Sequence, residues 1–185
     1  MEGELRFGSA KSYGVEFLVR SNGERLNGWI SYTLSHSERS FPDINQGKTY
    51  LSPYDRPHDV TIVLNYNYSK RFVFGATWIF TSGSPVTFPT GRFEYGNLVN
   101  PVYSDRNAYR MPAYHRLDLS VTLKGKEKPG RKWRGEWNLS IYNAYARKNA
   151  WAINFKQEKD NPSVTYAEKT YLFSIIPAIT YNFHF

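Results

Sequence analysis

The chain has 185 residues, enough for one domain with a sizeable core, and no cysteine, so neither a disulfide framework nor a thiol site is available. Aromatics make up 17% of it, mean hydropathy is −0.59, and no run reaches the roughly 18 apolar residues of a membrane-spanning helix, which excludes such helices but not a membrane protein built of strands. Formal net charge is +8, yet the lysines and arginines gather at turns, as over 124–134, rather than along one element interleaved with stacking aromatics, which argues against nucleic acid as a partner.

Met1 to Arg6 has neither a basic nor an apolar leader pattern, which for an exported protein predicts the C-terminal piece of a longer precursor. Tyr13, Val15, Phe17 and Val19 then alternate with Gly14, Glu16, Leu18 and Arg20, and Ser21-Asn-Gly-Glu24 is a hairpin signal. The returning strand, Leu26 to Ser35, sets Leu26, Ile30, Tyr32 and Leu34 against Asn27, Trp29, Ser31, Thr33 and Ser35. A long polar loop runs from His36 to Pro57. Val60, Ile62, Leu64, Tyr66 and Tyr68 share the outward face of the next strand, and a short turn, Ser69 to Arg71, leads to Phe72, Phe74, Ala76, Trp78 and Phe80.

A second long loop covers Ser84 to Tyr114. Leu117, Leu119, Val121 and Leu123 alternate with Arg116, Asp118, Ser120 and Thr122, and after a basic turn Trp137, Leu139 and Ile141 alternate with Glu136, Asn138, Ser140 and Tyr142. Trp151 to Phe155 is expected to prolong that strand after a break at Ala146 to Asn149, and a third polar loop spans Lys156 to Ala167. The final strand places Phe173, Ile175, Pro177, Ile179, Tyr181, Phe183 and Phe185 on one face. Seven strands of about ten residues, joined alternately by short turns and long loops, predict an all-β, antiparallel, meandering sheet of the transmembrane β-barrel kind. Seven is odd, so the chain is expected to be part of a larger barrel unless Leu5 to Lys11 hides an eighth strand.

Six segments carry a resemblance: Ser12-Tyr-Gly-Val-Glu-Phe17, Gly28-Trp-Ile-Ser-Tyr-Thr-Leu-Ser35, Tyr54-Asp-Arg-Pro-His-Asp59, Ser82-Gly-Ser-Pro-Val-Thr-Phe-Pro-Thr-Gly91, Tyr114-His-Arg-Leu-Asp-Leu119 and Tyr142-Asn-Ala-Tyr-Ala-Arg-Lys-Asn149. In this order they are similar to the C-terminal third of the barrel of TonB-dependent receptors, of the SusC-like, carboxypeptidase-regulatory-like type of Gram-negative bacteria. The resemblance implies one portion, residues 1–185, of a 22-stranded barrel in the outer membrane, whose plug and N-terminal strands are not in this sequence. It implies energised uptake of a bulky, scarce nutrient such as an iron chelate, cobalamin, a glycan or a peptide, without bond chemistry, metal or cofactor. Its implied partners are outer-membrane lipid, the rest of the barrel and plug, TonB through the absent N-terminal part, and a surface lipoprotein over the loops. Tyr181, Phe183 and Phe185 match the terminal signal that the barrel-assembly machinery reads in outer-membrane barrels.

The residues themselves contain no phosphate-binding glycine loop, zinc-protease pattern or nucleophile elbow. His58 and His115 both open strands at the loop rim, and they are read as rim polar residues rather than as a metal pair. Ligand contacts are expected from loop aromatics, which stack on sugar or chelate rings, and loop arginines, which pair with carboxylates or phosphates: Tyr50, Tyr54, Arg56, Arg92, Tyr95, Tyr103, Arg106, Tyr109 and Arg110. Asp55 and Arg56 also have a structural reading, as a brace at the loop base. Two other classes stay open: a small closed outer-membrane barrel with a structural or adhesive role, and a soluble β-sandwich binding module.

Overall fold

A computed structural model describes residues 5–96, 98–126, 130, 134–160 and 164–185, with the side chains of Leu98 and His184 left aside. Much of the basic turn expected over 124–134, and part of the polar loop after Lys156, lie outside the described residues. The chain begins with a long hairpin, β1 (Ser9–Asn22) and β2 (Leu26–Ser40), then passes a 3-10 turn (Asn45–Gly47) and the short β3 (Tyr50–Leu51). It continues through β4 (His58–Asn67) and β5 (Phe72–Thr81). The next connection carries β6 (Pro85–Val86), β7 (Pro89–Tyr95), β8 (Leu98–Tyr103) and β9 (Tyr109–Arg110). Then follow β10 (Tyr114–Lys124), β11 (Arg134–Tyr142), β12 (Ala152–Gln157), β13 (Thr165–Thr170) and β14 (Ile176–His184).

The main sheet is an antiparallel meander in the order β1-β2-β4-β5-β10-β11-β14, with β3 added beside β2. These seven strands are the seven that the alternation predicts. Residues 9–11 belong to β1, where Ser9 pairs with Ser40, so they form no separate eighth strand. The outer edges of β1 and β14 have no strand partner among the described residues, and the sheet is open rather than closed into a barrel.

Register decides which side chains meet. Ile62 stands opposite Ile30 on one side and Trp78 on the other. Leu119 stands opposite Ala76 and Ile141, and Leu139 opposite Ile179. Because side chains alternate across a pleated strand, these pairings join the apolar positions of all seven strands into one continuous face. Among the described residues no layer covers that face: Leu34, Leu64, Phe74, Leu119, Leu139 and Ile179 are exposed and Ile62, Trp78 and Leu117 half-buried, while Thr33, Asn65, Gly75, Ser120 and Asn138 on the reverse of the central strands are half-buried. Among the described residues the one large hydrophobic that is buried is Tyr50, while Ser52, Asp55, Thr81, Asn107 and Asn143 are buried polar groups. A water-soluble sandwich has the opposite arrangement, with apolar faces packed against each other.

All three long connections leave from the same end of the meander and the three short ones from the other. The long connections are not the structureless loops the sequence suggests. β6 pairs with β9, β7 with β8 and β12 with β13, each as a separate antiparallel pair. The last pair corrects one expectation: Trp151 to Phe155 does not prolong β11 but opens a hairpin of its own. The reason is the corner at Asn143, which takes a left-handed conformation (φ 56°), as does Ala146 (φ 54°), and so turns the chain off the sheet. The final strand likewise begins at Ile176, three residues later than the alternation starts.

Candidate functional site

At the long-loop end, a cavity of about 560 Å³ opens where β5, β10 and β11 give way to their connections. Its wall is Arg56, Ile79, Thr81 to Ser84, Met111, Pro112, Tyr114, Tyr142, Asn143, Asn149 to Trp151, Leu172 and Phe173. That size is within the range of small-molecule pockets, and the mixture of apolar walls with a few polar groups fits the same class.

The cavity is built on a corner held by amides. The backbone N–H of Asn143 donates to Asp118 Oδ1 at 2.9 Å, and its side-chain amide donates to the carbonyls of Arg147 and Ser174, each at 2.9 Å. Its Oδ1 accepts the Arg147 N–H at 3.0 Å. Asn149 does the same for the neighbouring strand, donating to the His115 carbonyl at 2.9 Å and accepting the His115 N–H at 3.2 Å. Two asparagines therefore satisfy backbone groups that the departing chain leaves unpaired. Trp151 and Phe173, presented by this corner, are exposed, and Phe173 meets Tyr142 edge-on at 6.5 Å between ring centroids.

Below the cavity lies a polar network on the half-buried face. Arg116 donates to the Tyr114 hydroxyl at 3.0 Å, pairs with Asp118 at 2.9 Å, and sits 4.0 Å from the centroid of the Tyr142 ring. Its Nε is buried without a hydrogen-bond partner among the described residues. Arg116, Asp118 and Tyr142 come from two strands whose polar positions face the same way, so the network follows directly from the register.

Of the nine ligand candidates read from the sequence, only Arg56 lines this cavity. Tyr50 is buried at the loop base, where Arg106 lies 5.8 Å from its ring. The Arg106 backbone N–H donates to Asn45 Oδ1 at 2.8 Å. Tyr109 packs against Phe88 at 5.9 Å, and Arg110 is committed to Asp55. Arg92 donates to Thr165 Oγ1 at 3.2 Å, linking β7 to β13. Tyr54, Tyr95 and Tyr103 are strongly exposed, with Arg39 lying 6.0 Å from the Tyr54 ring. The structure thus divides the set into loop-bracing residues, exposed aromatics and Arg56 at the cavity wall.

Tyr114, Tyr142, Asn149, Trp151 and Phe173 were not among those nine. Tyr142 to Asn149 was legible as a motif, but its role as a corner that presents Trp151 needs the fold. His58 and His115 are each engaged by a tyrosine hydroxyl, Tyr32 at 2.9 Å and Tyr145 at 2.7 Å. In the β12–β13 hairpin, Lys156 lies 2.5 Å from Glu168, and the hydrogen bond and charge of that carboxylate hold the ammonium above its ordinary pKa.

The fold and the cavity together define an antiparallel β-meander with an open apolar face and a cavity at its loop end. Compared with known proteins, the chain matches no protein-family model, no curated protein and no solved structure.

Proposed function

We propose that the chain is the C-terminal portion of the barrel of a TonB-dependent outer-membrane receptor, part of a 22-stranded wall that admits a bulky, scarce nutrient into the periplasm. The observation that carries this reading is the single apolar face running across seven strands, with Leu34, Leu64, Phe74, Leu119, Leu139 and Ile179 exposed on it, and every long connection at one end. In lipid such a face needs no cover, whereas in water it would be an aggregation surface. The half-buried polar face then lines the lumen, and the long connections form the outer loops.

The two open edges support the same reading. Strand edges in hydrocarbon leave backbone groups unsatisfied at several kcal/mol each, so β1 and β14 require further strands of the receptor beside them. A small closed barrel would instead need β1 to pair with β14. Substrate meets the loop-end cavity, through Trp151, Phe173, Asn149 and Arg56, together with exposed Tyr54, Tyr95 and Tyr103, while the plug and TonB supply the energised step. A surface lipoprotein caps the loops in this scheme. The side chains bind and guide; no bond is made or broken.

The test is fractionation of the full-length protein from cells. It is expected in the outer membrane, resistant to alkaline extraction, with heat-modifiable mobility and co-purification with TonB. Recovery as a detergent-independent soluble species would overturn the membrane reading, and a membrane barrel that never engages TonB would overturn the receptor reading alone.

A further inference from the structure

The short-turn end of the sheet carries a feature that neither transport nor the loop-end cavity uses. The β4–β5 turn and the two arms of the β10–β11 connection bring Lys70, Arg71, Lys124, Lys126 and Arg134 around one cavity of about 850 Å³, whose wall among the described residues also holds Glu136. Among the described residues the cations of this wall outnumber its carboxylates. The wall is also ordered. The Arg71 Nε donates to the Lys124 carbonyl at 3.0 Å, and the Lys124 N–H donates to the Arg71 carbonyl at 2.8 Å. The Gly125 N–H donates to the Gly135 carbonyl at 2.8 Å, which closes the two arms on each other.

On the apolar side of the same turn lies a second, smaller cavity of about 150 Å³, which shares Arg71, Lys124 and Lys126 with the first and adds Trp137 and Tyr181. Those two rings are 4.7 Å apart between centroids. Cations and a pair of aromatic rings therefore line one cavity at the border of the apolar face. Aromatic rings with a polar tip favour the headgroup level of a bilayer, and Lys and Arg near a membrane surface attract anionic lipid.

We propose that this turn end holds the phosphate of an anionic phospholipid headgroup, of the phosphatidylglycerol kind, with Arg71, Lys124 and Lys126 on the phosphate and Trp137 and Tyr181 against the glycerol and the upper acyl chain. The inference rests on the membrane reading above. Arg71 supplies the forked, fixed donor that a phosphate diester matches, and the two lysines supply unoriented charge.

The experiment uses the full-length protein in detergent, offered dihexanoyl-phosphatidylglycerol or dihexanoyl-phosphatidylcholine, with bound lipid counted by native mass spectrometry. Wild-type protein is expected to prefer phosphatidylglycerol and to lose that preference as salt rises. Replacing Arg71→Gln, Lys124→Gln and Lys126→Gln together should reduce it by about a hundredfold. The charge-keeping pair Lys124→Arg and Lys126→Arg, with Arg71 left in place, should retain most of it. A wild-type preference insensitive to salt, or one unchanged in the glutamine set, would overturn the site. Displacement of the lipid by inorganic phosphate as readily as by glycerophosphoglycerol would make it a free-anion site instead. Equal uptake of both lipids sinks only the headgroup proposal, whereas a protein that needs no detergent and takes neither lipid sinks the membrane reading with it.

Discussion

Arg110 closes its guanidinium on the carboxylate of Asp55, a partner 55 residues earlier and fully buried. Arg110 also donates to the carbonyls of Asp55 and Gly83, each at 3.1 Å. Asp55 Oδ1 accepts the Ser37 N–H at 2.6 Å, and His36 Nδ1 lies 3.6 Å away. One ion pair therefore ties the end of β2, the connection before β4 and the short β9 into a single base beneath the long connections.

Removing one partner of a buried pair leaves the other charge stranded, at about 3–5 kcal/mol. Arg110→Ala should accordingly open the loop base, read as faster hydrogen exchange at the Ser37 amide. Adding Asp55→Asn to it should recover part of the loss, because no bare carboxylate then remains. A double variant as damaged as the sum of the singles would contradict a direct pairing.

The exposed apolar face makes a sharp contrast between neighbouring faces. Leu119→Arg, in the middle of β10, should cost about 2–4 kcal/mol in liposomes. Thr180→Arg is the control on the opposite face of β14, where the pairing with Asn138 places it among polar side chains. Ser120 is a poorer control because its hydroxyl fills the space above Gly75, where a Cβ would come within 2.4 Å of it. Equal losses of folded protein from Leu119→Arg and Thr180→Arg, measured by urea titration, would overturn the facing.

Gly83 lies where the cavity wall meets the loop base. A Cβ there would sit 1.6 Å from the Met111 carbonyl oxygen, a backbone atom that has no rotamer to relieve the clash. Gly83→Ala should therefore cost about 1–3 kcal/mol and disturb the neighbouring Met111 N–H bond to Ser84, now 2.9 Å. Thermal unfolding and the crystal structure of the variant are the checks. An unchanged melting temperature would show that the two segments separate freely.

Tyr181, Phe183 and Phe185 form a stacked column, with centroid spacings of 6.5 and 6.1 Å. If this column is read by the assembly machinery, Phe185→Ala should lower the amount of protein inserted in cells while changing the stability of folded protein by only about 1–3 kcal/mol. Asn182→Ala, which removes a side-chain bond to Glu136 on the other face, is the comparison. Normal insertion of Phe185→Ala at native expression would leave Phe185 as an interfacial ring and nothing more.

The seven strands, their order and their two faces were legible in the chain itself, because a period of two is a local property that survives without neighbours: Leu117 to Leu123 reads as a strand whether or not Phe74 and Leu139 are present. Which residue faces which across the strands, as Ile62 faces Ile30 and Trp78, came only with the paired sheet. The long connections resisted for the opposite reason. Asp55 meets Arg110, Asn143 meets Ser174 and Asn107 meets the Leu51 carbonyl only through the fold, at sequence separations of 55, 31 and 56 residues. No periodicity announces such pairs, so Tyr50 and Arg110 looked like free ligand contacts when burial had committed them to the loop base. Trp151 likewise read as a strand residue until Asn143, in its left-handed corner, turned it to the cavity wall.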